Sequence, residues 1–300
     1  MSLQWKEQSE RGSSLLMRLI TNISLILGRN IGRLLLYPIT IYFVVISRKS
    51  RMGSRLYLQR VFSRPVGFTQ IFKHYHTFAS TILDRIYFLI NRVDDFNIKI
   101  INADSLDSNI EQGKGCILMG SHLGSFEVLR YLATLKKDVN IKILMYIDNA
   151  KKINRVLHAL NPNISNLIIP LGHPDSLIAA KDTTDAGGIV AILADRVFSD
   201  EKFVECEFFG DSCRFPSGPI ILASILQVPV MLFYGLYEKD LHYRVQFEML
   251  TNGLKFTREN RDELVAYWMQ KYANRLEAYS KQYPFNWFNF YDYWNEKNSS

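Results

Sequence analysis

The residues best suited to chemistry lie in the segment CILMGSHLGSFEVLR, residues 116–130. Apolar strand-formers run to Gly120, a turn flanked by Gly120 and Gly124 follows, and an amphipathic helical pattern comes next. Strand, tight turn and helix in direct succession form the layout of a nucleophile elbow, G-x-S-x-G, with His122 rather than serine at the exposed central position. Ser121 is one residue out of phase, which weakens a serine hydrolase reading. An imidazole at this point serves as a general base on a hydroxyl or amine, because its unperturbed pKa of about 6.5 suits proton abstraction at neutral pH. Glu127, five residues on, falls on the first or second turn of the new helix, within reach of the turn behind it. A carboxylate there is expected to fix the ring's tautomer, aim it and stabilise the imidazolium that forms. If the acceptor substrate supplies the nucleophile, the pair is sufficient. The backbone N–H groups at Gly124 and Ser125 are then candidates to hold an oxyanion or phosphate. The same residues also fit a plainer role, a histidine capping a turn and a glutamate complementing a helix dipole.

The elements that must position this segment are legible in outline. After Asp95 the texture is of short β-rich runs, at 98–102, 116–120, 141–146, 167–171, 189–193, 228–237 and 242–249. They are separated by helical stretches at 125–135, 151–160, 174–185, 219–226 and 258–283. Strands alternating with helices of about ten residues imply βαβ units. The expected fold is therefore α/β, a mainly parallel central sheet flanked by helices, with its active site at the carboxyl ends of strands.

Charge and hydropathy are concentrated at the other end. The chain has 36 Lys and Arg against 29 Asp and Glu, but residues 1–92 hold 14 against 3, so that region is +11 and the remainder −4. Two greasy segments sit within it, 14–28 and 34–46, the second (LLLYPITIYFVVI) bracketed by Arg33, Arg48, Lys49, Arg51 and Arg55. Thirteen residues fall short of the roughly 20 needed to cross a bilayer, and Pro38 disfavours a straight helix. The segment is expected to lie in or dip into one leaflet, with its basic flanks on an anionic surface, unless it is a buried core helix. Residues 63–91 read as a packing helix in which His74 and His76 are core or polar-face residues. Three lone cysteines, Cys116, Cys206 and Cys213, and isolated His158 and His173 suggest neither a disulfide framework nor a metal site. Gly187-Gly188 lacks the Lys-Ser/Thr of a phosphate loop, and the aromatic tail YPFNWFNFYDYW (283–294) lacks the interleaved basic residues of a nucleic-acid binder, which leaves a core or membrane-interface role. The expected organisation is a membrane-associating region over 1–94, a catalytic domain over 95–294 and a frayed tail at 295–300.

The order of these parts resembles the lysophospholipid acyltransferase superfamily, with its H-x4-D/E signature, and in particular the bacterial branch of late lipid A acyltransferases. The matching text is the His122/Glu127 motif, then AILADRVFSD (191–200), then EFFGDSCRFPSGPIILASILQVPVMLFY (207–234). The resemblance implies an acyltransferase of the bacterial inner membrane, on its cytoplasmic face. It would take a fatty acyl group from acyl-carrier protein or acyl-CoA, with no cofactor, to a hydroxyl or amine of a membrane lipid acceptor. It also makes Arg196 and Arg214 candidates for substrate contact, because a planar guanidinium grips a phosphate or carboxylate bidentately, unless they pair with a local acid such as Asp195, Asp200 or Asp211. Asp195 is a further candidate beside them, and Ser217, which opens the next helix, could add a donor or simply cap that helix. The tail departs from that branch: Asn286, Asn289 and Asp292 stand where further basic residues are usual, which leaves the acceptor open among lysophospholipids, amino-acid lipids, glycolipids and pigment headgroups. Two other functions fit the same residues, a thioesterase or lipid hydrolase and a non-catalytic lipid-binding protein.

Overall fold

The computed structural model describes residues 14–90, 92–129, 139–146, 166–173, 175–198 and 201–295. Its centre is a sheet of seven strands: β1 (Asn97–Ile101), β2 (Cys116–Gly120), β3 (Ile141–Met145), β4 (Ile168–Pro170), β5 (Ile189–Leu193), β8 (Val230–Lys239) and β9 (His242–Thr251), in the order β1-β9-β8-β2-β5-β3-β4. All neighbours are parallel except the β8/β9 hairpin. The fold class is thus the α/β arrangement expected. β2 and β5 are buried along almost their whole length, which is why their sequences, CILMG and IVAIL, read as continuous apolar runs instead of alternating.

Helices α1 (Ser14–Leu27), α2 (Arg29–Ile46), α3 (Arg48–Phe62) and α4 (Phe68–Leu89) precede the sheet, and α5 (Asp104–Glu111), α6 (Ser176–Asp185), α7 (Gly218–Leu226) and α8 (Arg261–Gln282) are interleaved with its strands. The sequence pattern anticipates α6, α7 and α8 to within a few residues and does not anticipate α5. The helix expected at 151–160, and most of that at 125–135, lie outside the described residues. What is described after Ser125 is one 3-10 turn, Phe126–Val128.

A second sheet, the hairpin of β6 (Phe203–Phe208) and β7 (Asp211–Pro216), was not foreseen. Its signal is present: Phe208 pairs with Asp211 across a two-residue loop, Phe209-Gly210, whose φ values of 55° and 80° are those a type I′ turn demands. A phenylalanine at a left-handed position is an unusual choice there, and it hides the turn.

The boundary expected near residue 94 coincides with no break in packing. Val44, Tyr57, Leu58 and Ile71 share one apolar cluster with Ile117, Leu232 and Trp287. Leu36, Leu83 and Phe88 share another with Leu118 and Phe233. A buried ion pair adds to this. Arg29 meets Asp84 through Nε and Nη2 at 2.6 and 2.8 Å, and the Tyr243 hydroxyl donates to the same carboxylate at 2.7 Å, joining α2, α4 and β9. Arg33 reaches Asp240 at 2.8 Å and the Tyr237 hydroxyl at 3.0 Å. Pro38 lies within the continuous helix α2, and the Arg51 guanidinium caps that helix by donating to the Val44 and Val45 carbonyls at 2.6 and 2.7 Å. Arg33 and Arg51 are therefore engaged within the protein, whereas the side chains of Arg48, Lys49 and Arg55 are exposed.

Candidate active site

Two neighbouring parallel strands deliver the reactive groups. Gly120 at the end of β2 lies beside Leu193 at the end of β5, and the register continues outward, the Ala194 N–H donating to the Gly120 carbonyl at 3.0 Å. Two residues beyond each strand stand His122 and Asp195, brought together by that register. Asp195 Oδ1 lies 2.8 Å from His122 Nδ1, and Asp195 Oδ2 accepts the His122 backbone N–H at 3.0 Å.

A carboxylate only accepts, so Nδ1 carries the ring proton and the neutral ring's lone pair is at Nε2. Among the described residues no partner occupies Nε2, and the side chain is one-third exposed. Burial in the surrounding protein lowers the imidazole's pKa, and the nearby Arg196 charge lowers it further, against the opposing pull of Asp195. The ring is accordingly neutral at pH 7, with the Nε2 lone pair able to accept a proton. Asp195 is fully buried. Burial alone would push its carboxyl up, but this is outweighed by His122, Arg196 and a hydrogen bond from Trp287, which hold it down to about 2.

The orienting carboxylate is thus Asp195, expected from the sequence as a substrate contact, and the expectation that Glu127 holds the ring is corrected. Glu127 Oε1 meets Arg85 Nη2 of α4 at 2.6 Å. The reason is local: Phe126–Val128, which follow Ser125 directly, form a 3-10 turn packed against α4. Arg85 was not singled out from the sequence.

Gly124 and Ser125 also differ from expectation. Their N–H groups are committed, Gly124 to the Asn286 carbonyl at 2.8 Å and Ser125 to the Gly235 carbonyl at 2.7 Å, so neither offers a free donor to an oxyanion. Gly124 has φ of 78°, and a Cβ there would strike the Gly235 carbonyl oxygen. Glycine is needed at 124 because the turn crosses β8 in backbone contact.

The arginines divide. Arg196 donates through Nη2 to the Phe288 carbonyl at 2.8 Å, one of five guanidinium donors. Arg214 on β7 stacks over Phe203 at 4.3 Å, and its buried Nε has no hydrogen-bond partner among the described residues. One hydroxyl, that of Tyr293, lies 3.0 Å from the Asp195 carbonyl and 3.3 Å from the Arg214 carbonyl, which places the two backbones side by side. Ser217 spends its hydroxyl on the Lys202 carbonyl at 3.0 Å and makes no side-chain cap to α7.

The aromatic tail is core. Trp287, Tyr293 and Asn289 are buried, and the segment crosses directly over the His122 turn, with the Phe288 N–H on the His122 carbonyl at 2.9 Å and a bridge between Leu123 and Trp287. Asn286 grips both backbone groups of Tyr237 at 2.8 and 3.0 Å. Asn286 and Asn289 are thus structural residues, and their departure from a basic pattern carries no information on the acceptor.

An imidazole held by a buried carboxylate at the carboxyl edge of a parallel sheet is an arrangement able to take a proton from an incoming nucleophile. Residues 16–296 match the bacterial lipid A biosynthesis acyltransferase family, and the chain belongs to it. A comparison with curated proteins finds no match. The protein is an acyltransferase whose acceptor is lipid-like.

Proposed function

We propose that His122 Nε2 removes the proton from a hydroxyl or amine of the lipid acceptor as that atom attacks the carbonyl carbon of an acyl thioester. The tetrahedral intermediate then collapses, the C–S bond breaks, and the leaving thiolate takes the proton from the imidazolium. The products are an ester or amide and a free thiol. The observation that carries this reading is the Asp195–His122 hydrogen bond at 2.8 Å, which fixes Nε2 as the basic edge of a neutral ring. Asp195 aims the ring and steadies the imidazolium, and Arg196, close enough to lower the ring's pKa, is the candidate to offset negative charge on the attacked oxygen. Glu127 serves at the same edge by holding Arg85 and the turn that follows His122.

The donor is acyl-carrier protein or acyl-CoA, and the concentrated positive charge of residues 1–92 favours the acidic carrier, so turnover with it falls as salt rises. Helix α2 docks one face through Arg29, Leu36 and Val44 and exposes Leu34, Ile41, Tyr42, Val45 and Ile46 on the other. That two-faced character supports a helix lying in one leaflet, beside the exposed Arg48, Lys49 and Arg55, at the cytoplasmic face of the bacterial inner membrane.

Protein in detergent, offered acyl thioesters and a panel of lysolipids, glycolipids and lipid A precursors, should release thiol only when an acceptor is present. His122→Ala should lower that release at least about a hundredfold. Release that persists in the variant sinks the assignment, and release without any acceptor identifies a hydrolase.

A further inference from the structure

We propose that Trp287 is a positioning residue for the transfer, its indole N–H fixing the Asp195 carboxylate so that Oδ1 faces His122. This rests on the His122–Asp195 reading above and extends it by one group. Trp287 Nε1–H donates to Asp195 Oδ2 at 2.9 Å. Among the described residues Oδ2 therefore receives two donors, the indole and the His122 backbone N–H, while Oδ1 receives the ring alone. A carboxylate so divided cannot rotate without losing at least one charge-assisted bond.

Trp287 is itself over-determined. It is 1% exposed, with Tyr57, Tyr293 and Phe208 at 5.0, 5.0 and 5.2 Å between ring centroids. Its carbonyl is held at 2.8 Å by Nε2 of the buried His74, whose Nδ1 lies 2.8 Å from the Ser54 hydroxyl. Since a carbonyl only accepts, His74 donates from Nε2 and Ser54 donates to Nδ1. A chain of contacts thus runs from α3 through α4 to the indole and on to the base. A phenylalanine would serve the burial alone. What tryptophan adds is one buried donor, and it is given to Asp195.

The groups facing this carboxylate are Arg196 from its own loop, Tyr272 from α8, Tyr234 from β8 and Tyr293 from the tail. Burial pushes the three phenols well above their usual range, so Arg196 is the one among them that carries charge at neutral pH. Without the indole N–H, less of the Asp195 charge is neutralised on the far oxygen, the imidazolium forms more readily, and the acid limb of the rate profile moves to higher pH.

The test replaces Trp287 with 3-benzothienylalanine, which keeps the bicyclic shape and has sulfur in place of N–H, beside Trp287→Phe and His122→Ala. The expected result is kcat lowered about tenfold, KM within about twofold, an acid limb shifted upward and an unchanged Tm for the benzothienyl protein. An unshifted limb overturns the proposal, whether kcat is unchanged or falls only in step with lost folded protein. Should His122→Ala keep its acceptor-dependent activity, the underlying reading fails; with His122→Ala dead and the benzothienyl limb unshifted, only the role of Trp287 fails.

Discussion

The turn around His122 and helix α2 are both rich in residues that look available for contact, and the protein treats them in opposite ways. At the turn nearly every backbone donor is taken: His122 by Asp195, Leu123 by the Ser121 hydroxyl, Gly124 by Asn286 and Ser125 by Gly235. What remains open is one imidazole edge. On α2 the charged groups are the ones consumed, Arg29 by Asp84 and Arg33 by Asp240, and a row of apolar side chains is left facing outward. Positioning a base requires surrounding constraint, because a displacement of about 1 Å can cost a hundredfold in rate. Lying on a lipid surface requires only an apolar face and a firm anchor behind it.

The contrast can be broken first at the anchor. Asp84→Ala leaves Arg29 charged and buried without its carboxylate, and this should lower stability by about 3–5 kcal/mol in denaturant titrations. A loss below about 1 kcal/mol would mean that α2 is held by its apolar contacts alone. The next test strains the turn through the tail. Burial holds the His74 imidazole down at about 4, against a bond to the Trp287 carbonyl that pulls it upward. Its folded pKa lies below the unfolded value of 6.5, so its contribution is fully present above 6.5 and is lost as pH falls from 6.5 towards 4. Wild type should lose on the order of 3 kcal/mol across that window, and His74→Gln should show a flatter profile. Identical profiles would remove His74 from the account. The smallest effect belongs to the outer face of α2: Val45→Ser should weaken partition into anionic vesicles about tenfold, with activity on detergent-dispersed acceptor unaltered. Unchanged partition would place the lipid contact elsewhere.

How much of this was legible in the sequence follows the same division. β2 and β5 were readable to the residue, because strands buried on both faces declare themselves as unbroken apolar runs. His122 on its glycine-flanked turn was readable for the same local reason. The partnership of His122 with Asp195 was not, since it depends on β5 lying beside β2 in one register, and 73 residues separate the two side chains. Local spacing favoured Glu127, and tertiary packing gave Glu127 to Arg85 instead. The burial of Trp287 and Asn286 was hidden in the same way, because aromatic and amide residues suit a membrane interface as well as a core until the chain's path over the turn is known.

The claim on which the rest depends is that Asp195, and not Glu127, keeps His122 basic and aimed. Single-turnover acyl transfer should be measured for Asp195→Asn and Glu127→Gln side by side. With an amide at 195 the ring loses the charge that stabilises its imidazolium and is free to take the wrong tautomer, so the rate should fall on the order of a thousandfold or more. Glu127→Gln should stay within about tenfold of wild type, as expected for loss of a partly exposed ion pair. A near-normal rate for Asp195→Asn together with a dead Glu127→Gln would contradict the account.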